Sequence, residues 1–239
     1  MEYNLCIDIG NTRIKAAIFE NDKLIEKVYD EEAIELFFSK YNIKSCIVSS
    51  VRKKIPKNIF DIKHKVDKFI VLCHKTKLPI KINYKTPDTL GMDRIAAAIG
   101  AKKMFPEDNC IVIDAGTCIT YDFIDKKNVY QGGNIAPGIS MRAKAMNRFT
   151  DNLPLVGIEY NEDPLGKSTE EALQNGSLRG TFWEISTFIQ LILDKFGDTK
   201  VILTGGDAKY FVNHFNFKIF ANPNLILVGL NEIIKKYEQ

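Results

Sequence analysis

The chain has 239 residues, 45% of them hydrophobic, which is enough for one large or two modest folded domains. With 33 basic and 30 acidic side chains its formal net charge is +3, which argues against nucleic-acid binding because that requires a concentrated basic face. Five cysteines without a C-x-x-C pair, and the lack of a membrane-length apolar run or a signal peptide, predict a cytoplasmic protein with no disulfide scaffold, zinc site or membrane partner.

The first third of the chain predicts a strand-rich unit. The short runs YNLCIDI, IKAAIFE and KLIEKVY are rich in β-forming residues and are separated by turn residues. The helical spacing of apolar residues in EEAIELFFSKYN predicts a helix, while SCIVSSV and KFIVLC predict buried strands. The basic segment VRKKIPKN between those strands is interpreted as a solvated loop or helix end. A proline-bearing stretch, KLPIKINYKTPDTLGMDR, then leads into the helix RIAAAIGAKKMF, which Pro106 ends.

The second half begins with the buried strand NCIVIDAG, and CITYDFID and NVYQGGNIAPG predict two further strands and a glycine-rich turn. A helix over about 140–149 and a long helix in SLRGTFWEISTFIQLILDKFG follow. KVILTGGDA predicts a strand that runs into a glycine turn, and Asp207 is expected to cap a helix in DAKYFVNHF. A last helix is expected in LILVGLNEIIKKY. We therefore expect two domains, residues 1–108 and 109–239.

A unit of strand, Asp-x-Gly, Thr and strand occurs twice, as CIDIGNTRIKAAIF and as VIDAGTCITYDFI. One such unit is weak evidence, since Asp-x-Gly ends many strands for turn reasons alone, but two of them predict a duplicated domain. The glycine lets backbone N–H groups approach an anion, the threonine adds a hydroxyl donor, and the carboxylate can hold a hydrated cation. Two such hairpins would bind a polyphosphate, and the turn LTGGDA is suited to a flat base.

In motif order the chain resembles the acetate kinase, sugar kinase, Hsp70 and actin superfamily, with Asp8–Thr12 and Asp114–Thr117 as phosphate loops and Leu203–Ala208 as the adenosine turn. The resemblance implies an α/β fold of two ribonuclease-H-like (actin-like ATPase) domains, each a mixed sheet flanked by helices, with a cleft between them. Three unrelated turns are the alternative. The set DIGNTRIK, Tyr84, GMDR, DAGTCITYD, GGNIAPG and GKSTEEAL is further similar to type III pantothenate kinases.

The second resemblance implies ATP-dependent phosphorylation of pantothenate to 4'-phosphopantothenate, the first step of coenzyme A biosynthesis. It also implies a homodimer that uses ATP with Mg2+ and a monovalent cation, K+ or NH4+. The ATP-binding residues that it implies are Asp8, Ile9, Gly10, Asn11, Thr12, Arg13, Ile14, Lys15 and Thr117. The implied pantothenate-binding residues are Tyr84, Gly91, Met92, Asp93, Arg94 and Thr169. Asp8 would in addition position magnesium, and Asp114 would bind the monovalent cation.

Asp93 would be the catalytic residue, a general base that accepts the hydroxyl proton during attack on the γ-phosphorus. Aspartate is also favoured at helix N-caps, so a purely structural role is the alternative. The arginine that follows is unfavourable for the helix dipole but can hold an anion, which favours the functional interpretation. Lys15 and Tyr84 could likewise be an exposed strand lysine and a strand-edge aromatic. The S/T-x-x-E spacing in GKSTEEAL could place Ser168 or Thr169 in a capping box.

Two other functions are compatible with these motifs. Another small-molecule kinase of the same superfamily would share the phosphate loops but not GMDR with an upstream tyrosine. A catalytically silent nucleotide-binding accessory or regulatory protein would need no base, so the joint presence of Asp8, Asp93 and Asp114 argues against it.

Overall fold

Two mixed β-sheets form the framework of residues 1–212, 215 and 217–237, which the computed structural model describes. The strand order is β3-β2-β1-β4-β5 in the first sheet and β11-β10-β7-β8-β9-β6 in the second. The strands are β1 (Tyr3–Ile9), β2 (Ile14–Glu20), β3 (Lys23–Val28), β4 (Ile43–Ser50), β5 (Lys68–Val71), β6 (Lys81–Ile82), β7 (Asn109–Ala115), β8 (Cys118–Ile124), β9 (Val129–Pro137), β10 (Thr199–Thr204) and β11 (Ile219–Ala221). The helices are α1 (Glu31–Lys40), α2 (Lys57–Asp61), α3 (Met92–Met104), α4 (Ile139–Arg148), α5 (Thr169–Phe196) and α6 (Leu225–Lys235).

Strand β1 lies at the centre of the first sheet, antiparallel to β2 and parallel to β4. Its residues divide between two faces because successive side chains of a strand point in opposite directions. Leu5 packs on one face in a core that includes Phe37 of α1. Asn4 and Asp8 occupy the other face, where the Asn4 side chain donates a hydrogen bond to Asn231 of α6 at 3.4 Å. Helices α3 and α6 therefore cover the face that carries Asp8.

Packing divides the chain into two units. The first unit comprises Met1–Glu107, Ile124–Gly132 and the chain from Asn224 onward. The second unit comprises Asp108–Phe123 and Gly133–Pro223. Helix α6 therefore completes the first unit, although it lies at the far end of the sequence from the strands that it covers.

Helix α5 is the main helix of the second unit and is 28 residues long. Its Ile185 and Ile189 are fully buried against the strands of that unit, because residues four apart lie on the same helix face. Trp183 and Leu191 lie outside this stripe and are 55% and 61% exposed. None of the described helices, α5 included, is both long and apolar enough to cross a membrane.

The glycine-rich stretch QGGNIAPG differs from its expected turn, because it continues strand β9 as far as Pro137. Gly132 takes a φ of +113° within this strand, a conformation that other residues rarely adopt. The glycines predict a turn because composition alone does not distinguish a turn from a strand with one unusual backbone angle. Helix α5 also begins at Thr169, ahead of the predicted start of the pattern SLRGTFWEISTFIQLILDKFG.

The helix expected in DAKYFVNHF is also wrong where the chain is described. It is a single 3-10 turn at Ala208–Tyr210, and Asn213 and His214 lie outside the described residues. The Asp207 side chain makes no capping hydrogen bond, whereas its backbone N–H donates to the Ala115 carbonyl at 2.9 Å. The segment therefore follows the geometry of the preceding glycine turn rather than a helix cap.

Helices α3 and α6 approach each other through two glycines. A Cβ added at Gly229 of α6 would lie 1.8 Å from the Ala96 carbonyl oxygen of α3. A Cβ at Gly100 of α3 would lie 2.3 Å from the Leu225 carbonyl oxygen of α6. Both contacts are with backbone, which cannot rotate away as a flexible side chain can. The two helices are thus packed more closely than larger residues would permit.

Polar contacts fix α6 to the β2–β3 hairpin as well. The Asn231 side chain is buried and donates to the Asn21 carbonyl at 2.7 Å. Asp22, in the same turn, pairs with Lys103 of α3 and Lys235 of α6, and these two cations hold the pKa of Asp22 at about 2. One tight turn therefore anchors both helices.

We expect Gly229→Ala to destabilise the protein by about 3 kcal/mol, because its methyl group would overlap a helix carbonyl and force α3 and α6 apart. Gly176→Ala in α5 is the matched control, since an added Cβ there meets nothing within 4 Å. The control should be neutral or stabilising by about 0.5–1 kcal/mol through helix propensity. Denaturant unfolding measures both variants, and an equal stability of the two would contradict the packing argument.

Candidate active site

The first Asp-x-Gly hairpin joins β1 to β2 in the first unit. The Gly10 N–H donates to the Arg13 carbonyl at 3.0 Å and closes the turn. Asp8 at the strand end is buried, whereas Asn11 and Thr12 at the tip are exposed. The hairpin therefore presents a shielded carboxylate beneath a solvent-facing backbone loop, and Lys15 lies opposite Asp8 on β2.

Arg52 braces this hairpin, a role that the sequence analysis missed. Its Nε donates to the Gly10 carbonyl at 2.9 Å and its Nη2 to the Asn11 carbonyl at 3.5 Å. In a trans peptide the C=O and the following N–H point in opposite directions, so the N–H groups of Asn11 and Thr12 point away from Arg52. Successive N–H groups held in this way form an anion-binding concavity.

The segment GMDR forms the start of α3 in the same unit. Gly91 is the N-cap residue, so the alternative interpretation of Asp93 as the N-cap is wrong. The Asp93 carboxylate instead accepts a hydrogen bond from the Arg94 backbone N–H at 2.9 Å. It folds back over Gly91, where an added Cβ would lie 2.4 Å from Asp93 Oδ1. Met92 and Arg94 are buried, so the helix start is packed into the unit.

Burial raises the pKa of Asp93 above its ordinary value, because a charged carboxylate loses hydration there. The backbone N–H and the positive charge of Arg94 partly offset this rise. A carboxylate with a raised pKa is a stronger base than an exposed aspartate.

Tyr84 is placed by the pairing of β6 with β9. The Asn83 N–H, next to it, donates to the Tyr130 carbonyl at 2.9 Å, and the Tyr84 and Tyr130 rings lie 6.2 Å apart. The Tyr84 ring also lies 3.8 Å from the position that a Cβ at Gly132 would occupy. The glycine-rich part of β9 thus leaves room for this half-buried ring, which belongs to the same unit as GMDR.

The second Asp-x-Gly hairpin, in the second unit, packs against the start of α4. The Gly116 N–H donates to the Cys118 carbonyl at 3.0 Å and closes the turn. The Gly138 N–H donates to the Thr117 carbonyl at 3.1 Å. A Cβ at Gly138 would lie 2.3 Å from the Gly116 carbonyl oxygen, so only glycine permits this approach.

The glycine turn after β10 meets the same hairpin from another direction. Gly205 has a φ of +94°, and a Cβ there would lie 2.2 Å from the Ala115 carbonyl oxygen and 2.5 Å from Asp114 Oδ1. Only glycine therefore fits against these two oxygen atoms. The second hairpin and the glycine turn after β10 form one continuous backbone surface in this unit.

A network of partly buried side chains, Arg142, Glu184 and Tyr121, supports that surface. Arg142 of α4 donates through Nε to the Pro137 carbonyl at 2.9 Å and pairs with Glu184 of α5 at 2.5 Å. Tyr121 donates to the other Glu184 oxygen at 2.7 Å, and burial together with this carboxylate raises the pKa of Tyr121. The sequence analysis did not predict these contacts, because the residues that make them lie far apart in the sequence.

The capping box at the start of α5 belongs to Ser168. Its hydroxyl accepts a hydrogen bond from the Glu171 N–H at 3.2 Å, and the Glu171 side chain accepts one from the Lys167 N–H at 2.5 Å. Thr169 is the first helical residue and is exposed. Its hydroxyl is thus not engaged in capping, which removes one of the two interpretations of this threonine.

The acidic residues of the site do not form a dedicated metal cage. No group of three or more His, Cys, Asp or Glu side chains within the described ranges could hold a metal ion together. All five cysteines are free thiols. A cation at this site would therefore take single carboxylates, backbone oxygens, water and ligand atoms.

Comparison with known proteins identifies the family of the chain. A family model for type III pantothenate kinase matches residues 4–191. The chain is 40% identical over 235 residues to a type III pantothenate kinase of Bacteroides fragilis strain YCH46, which covers 97% of each protein.

Solved structures confirm the predicted fold class. A conserved protein from Campylobacter jejuni, assigned to the Baf family of transcriptional activators, has a TM-score of 0.63 at 26% identity over 98% of both chains. The activator of 2-hydroxyisocaproyl-CoA dehydratase from Clostridium difficile with bound ADPNP has a TM-score of 0.56 at 14% identity, over 99% of this chain and 97% of that one. The second likeness shows the fold alone.

Proposed function

Since the chain belongs to the type III pantothenate kinase family and phosphorylates pantothenate with ATP, the first step of coenzyme A biosynthesis, we propose that Asp93 activates the acceptor hydroxyl. The observation that carries this assignment is the position of the carboxylate within a packed helix start. Gly91 takes the cap position, so Asp93 is not needed as the N-cap, and burial raises its pKa. Both features suit a general base.

The proposed step is an in-line displacement at the γ-phosphorus. The pantothenate hydroxyl oxygen forms a new bond to phosphorus, the bond to the ADP oxygen breaks, and Asp93 accepts the hydroxyl proton. Arg94, buried beside it, supplies a guanidinium that holds a substrate carboxylate or the transferred phosphoryl group. Tyr84, Gly91 and Met92 would shape the acceptor pocket around these two groups.

The first hairpin is proposed to bind the ATP phosphates. The N–H groups of Asn11 and Thr12 point away from the Arg52 brace and suit an anion. Arg13 and Lys15 would add positive charge, and Thr117 of the second hairpin would donate a hydroxyl. The flanking Ile9 and Ile14 are buried and hold the loop on its sheet.

Asp8 fits the magnesium ion that accompanies ATP. Magnesium in kinase sites is commonly bound by one or two carboxylates together with substrate phosphates and water, rather than by an all-protein cage. Asp8 offers one such carboxylate at a strand end, and the described residues contain no larger acidic cluster. The ion would neutralise phosphate charge during transfer.

Asp114 fits a monovalent cation, K+ or NH4+. Its Oδ1 and the Ala115 carbonyl oxygen both lie against Gly205, so a carboxylate oxygen and a backbone oxygen stand close together at this turn. A singly charged ion bound by oxygen atoms of this kind would offset phosphate charge without replacing magnesium.

We further propose a cytoplasmic homodimer whose partner helps to close the pantothenate pocket. The exposed Thr169 would contribute to substrate binding there, since its hydroxyl is not used in capping. Exposed apolar side chains support an interface on the second unit, including Phe149 at 84%, Leu165 at 67% and Trp183 at 55%. The free thiols suit a reducing compartment.

Asp93→Asn should lower the turnover of pantothenate by about two to four powers of ten, since the amide cannot accept the proton. Binding of ATP, measured by calorimetry, should be almost unchanged, because the interaction is needed chiefly in the transition state. Wild-type activity should fall as the pH drops through the raised pKa of Asp93, because the protonated carboxyl is no base. Asp88→Asn, an exposed carboxylate shortly before α3, is the control and should keep full activity.

The thermal stability of Asp93→Asn separates a catalytic from a structural role. A carboxyl whose pKa is raised by folding destabilises the protein at pH values above that pKa, where it is charged. The neutral amide should therefore leave Tm unchanged or higher at pH 7. Wild-type turnover, or a large loss of Tm with unfolding, would overturn the assignment.

Asp114→Asn should reduce activation by potassium, because the carboxylate is the charged ligand of the proposed site. The wild-type enzyme should be slow in sodium-only buffer and should recover severalfold when KCl or NH4Cl replaces NaCl at constant ionic strength. Asp198→Asn, a highly exposed carboxylate of the same unit, should respond to potassium like the wild type. Equal activity of the wild type in both buffers would exclude the monovalent-cation role.

Sedimentation at micromolar concentration should give twice the mass of one chain. Trp183→Asp should weaken this dimer, because it places a charge on the exposed side of α5. Leu36→Asp is the control, since Leu36 is similarly exposed, at 59%, but lies on α1 of the other unit. A fully active monomer would refute the dimer proposal.

A further inference from the structure

Ser49, near the end of β4, has a buried hydroxyl without a hydrogen-bond partner in the described part of the chain. The residue is 0% exposed, and its Oγ makes no hydrogen bond to any residue that the structure describes. Buried polar groups almost always have a partner, because leaving one unpaired destabilises the folded state. A hydroxyl retained at such a position points to a partner other than the chain itself.

The strand register places this hydroxyl beside Asp8. Strands β1 and β4 are parallel, and Asp8 and Ser49 are direct partners across them. Partners on adjacent strands project to the same face of a sheet, and the strands lie about 4.8 Å apart. The neighbouring residue Val48 points to the opposite face, where it packs in the apolar core with Ile9. Ser49 and Asp8 thus share the face on which α6 packs.

A buried serine hydroxyl without a hydrogen bond does not by itself indicate a binding site, because the protein contains a second one. Ser177 of α5 is also 0% exposed, and its Oγ likewise lacks a hydrogen bond among the described residues. It lies within a long helix of the second unit, eight residues after the start at Thr169. The register with Asp8 is therefore the observation that sets Ser49 apart.

We propose that Ser49 is a positioning residue for the hydrated magnesium ion that Asp8 binds. A magnesium ion retains several water molecules at about 2.0–2.1 Å, and these waters are hydrogen-bond donors. With the ion bound, the Ser49 oxygen would accept from one such water, and its O–H would turn to donate to the Asp8 carboxylate. Serine can do both at once, because a hydroxyl is donor and acceptor. This inference rests on the proposed magnesium role of Asp8.

A side chain that hydrogen-bonds to a metal-binding carboxylate orients that carboxylate, and its removal commonly lowers metal affinity by about 10–100-fold. Ser49→Ala should therefore raise the Mg2+ concentration that half-saturates ADP binding by about tenfold. The same variant should have an unchanged or higher Tm without metal and nucleotide, because it deletes an unsatisfied buried hydroxyl. If Ser49 instead made a structural hydrogen bond, Ser49→Ala would lower Tm and leave the magnesium dependence unchanged.

Calorimetric titration of ADP at a series of Mg2+ concentrations, together with thermal unfolding with and without Mg2+ and ADP, tests the inference. Ser177→Ala is the matched control, since it deletes an equally buried hydroxyl and should leave the magnesium dependence at its wild-type value. An unchanged magnesium dependence in Ser49→Ala would overturn the inference, as would a lowered Tm in the metal-free protein with normal magnesium use.

Asp8→Asn distinguishes failure of this inference from failure of the proposed function. If Asp8→Asn weakens magnesium-dependent ADP binding and Ser49→Ala does not, only the role of Ser49 is wrong. If neither variant alters it, the ion is not bound at Asp8, and both assignments fall. The expected result is a weakening in both, larger for the loss of the ligating carboxylate.

Discussion

The close backbone contact between α3 and α6 is the constraint on which the first unit depends. Helices usually pack with their axes 8–10 Å apart, at a distance set by the side chains between them. Here Gly100 and Gly229 remove those side chains, and carbonyl groups lie against glycine instead. Because α3 begins with GMDR, this contact also fixes the helix that carries Asp93 and Arg94. A reactive group on a packed helix is held more precisely than one on a loop.

In the second unit, contacts between backbone groups, rather than between packed helices, hold the glycine turns in place. Its second hairpin, the start of α4 and the turn after β10 meet through N–H and carbonyl groups, and Gly138 and Gly205 make that approach possible. The resulting surface consists largely of peptide groups, whose positions cannot be adjusted by rotamer changes. The partly buried network of Tyr121, Glu184 and Arg142 holds one of these segments in place.

The sequence predicted the parts of the fold that depend on local patterns. YNLCIDI and IKAAIFE coincide with β1 and β2, because their composition and turn residues act over a few positions. The family resemblance, and with it the function, followed from short motifs at those strand ends. Contacts between distant segments could not be read in this way. Arg52 lies 42 residues from the carbonyl that it binds, and the basic run around it indicated only a solvated loop. The proximity of Ser49 to Asp8 follows only from the register of β4 with β1, which the sequence does not show.

The position of α6 has a consequence for how the protein is made. The ribosome delivers the N-terminal strands first, yet α6, which packs on their Asp8 face, is made only after the whole second unit. Domains generally fold as units during synthesis, the N-terminal one first. The second unit uses no segment after Pro223, so it can complete its core before α6 is made, whereas the first unit cannot. Truncation before α6 would therefore leave the earliest strands and α3, with its GMDR start, without the helix that packs on them.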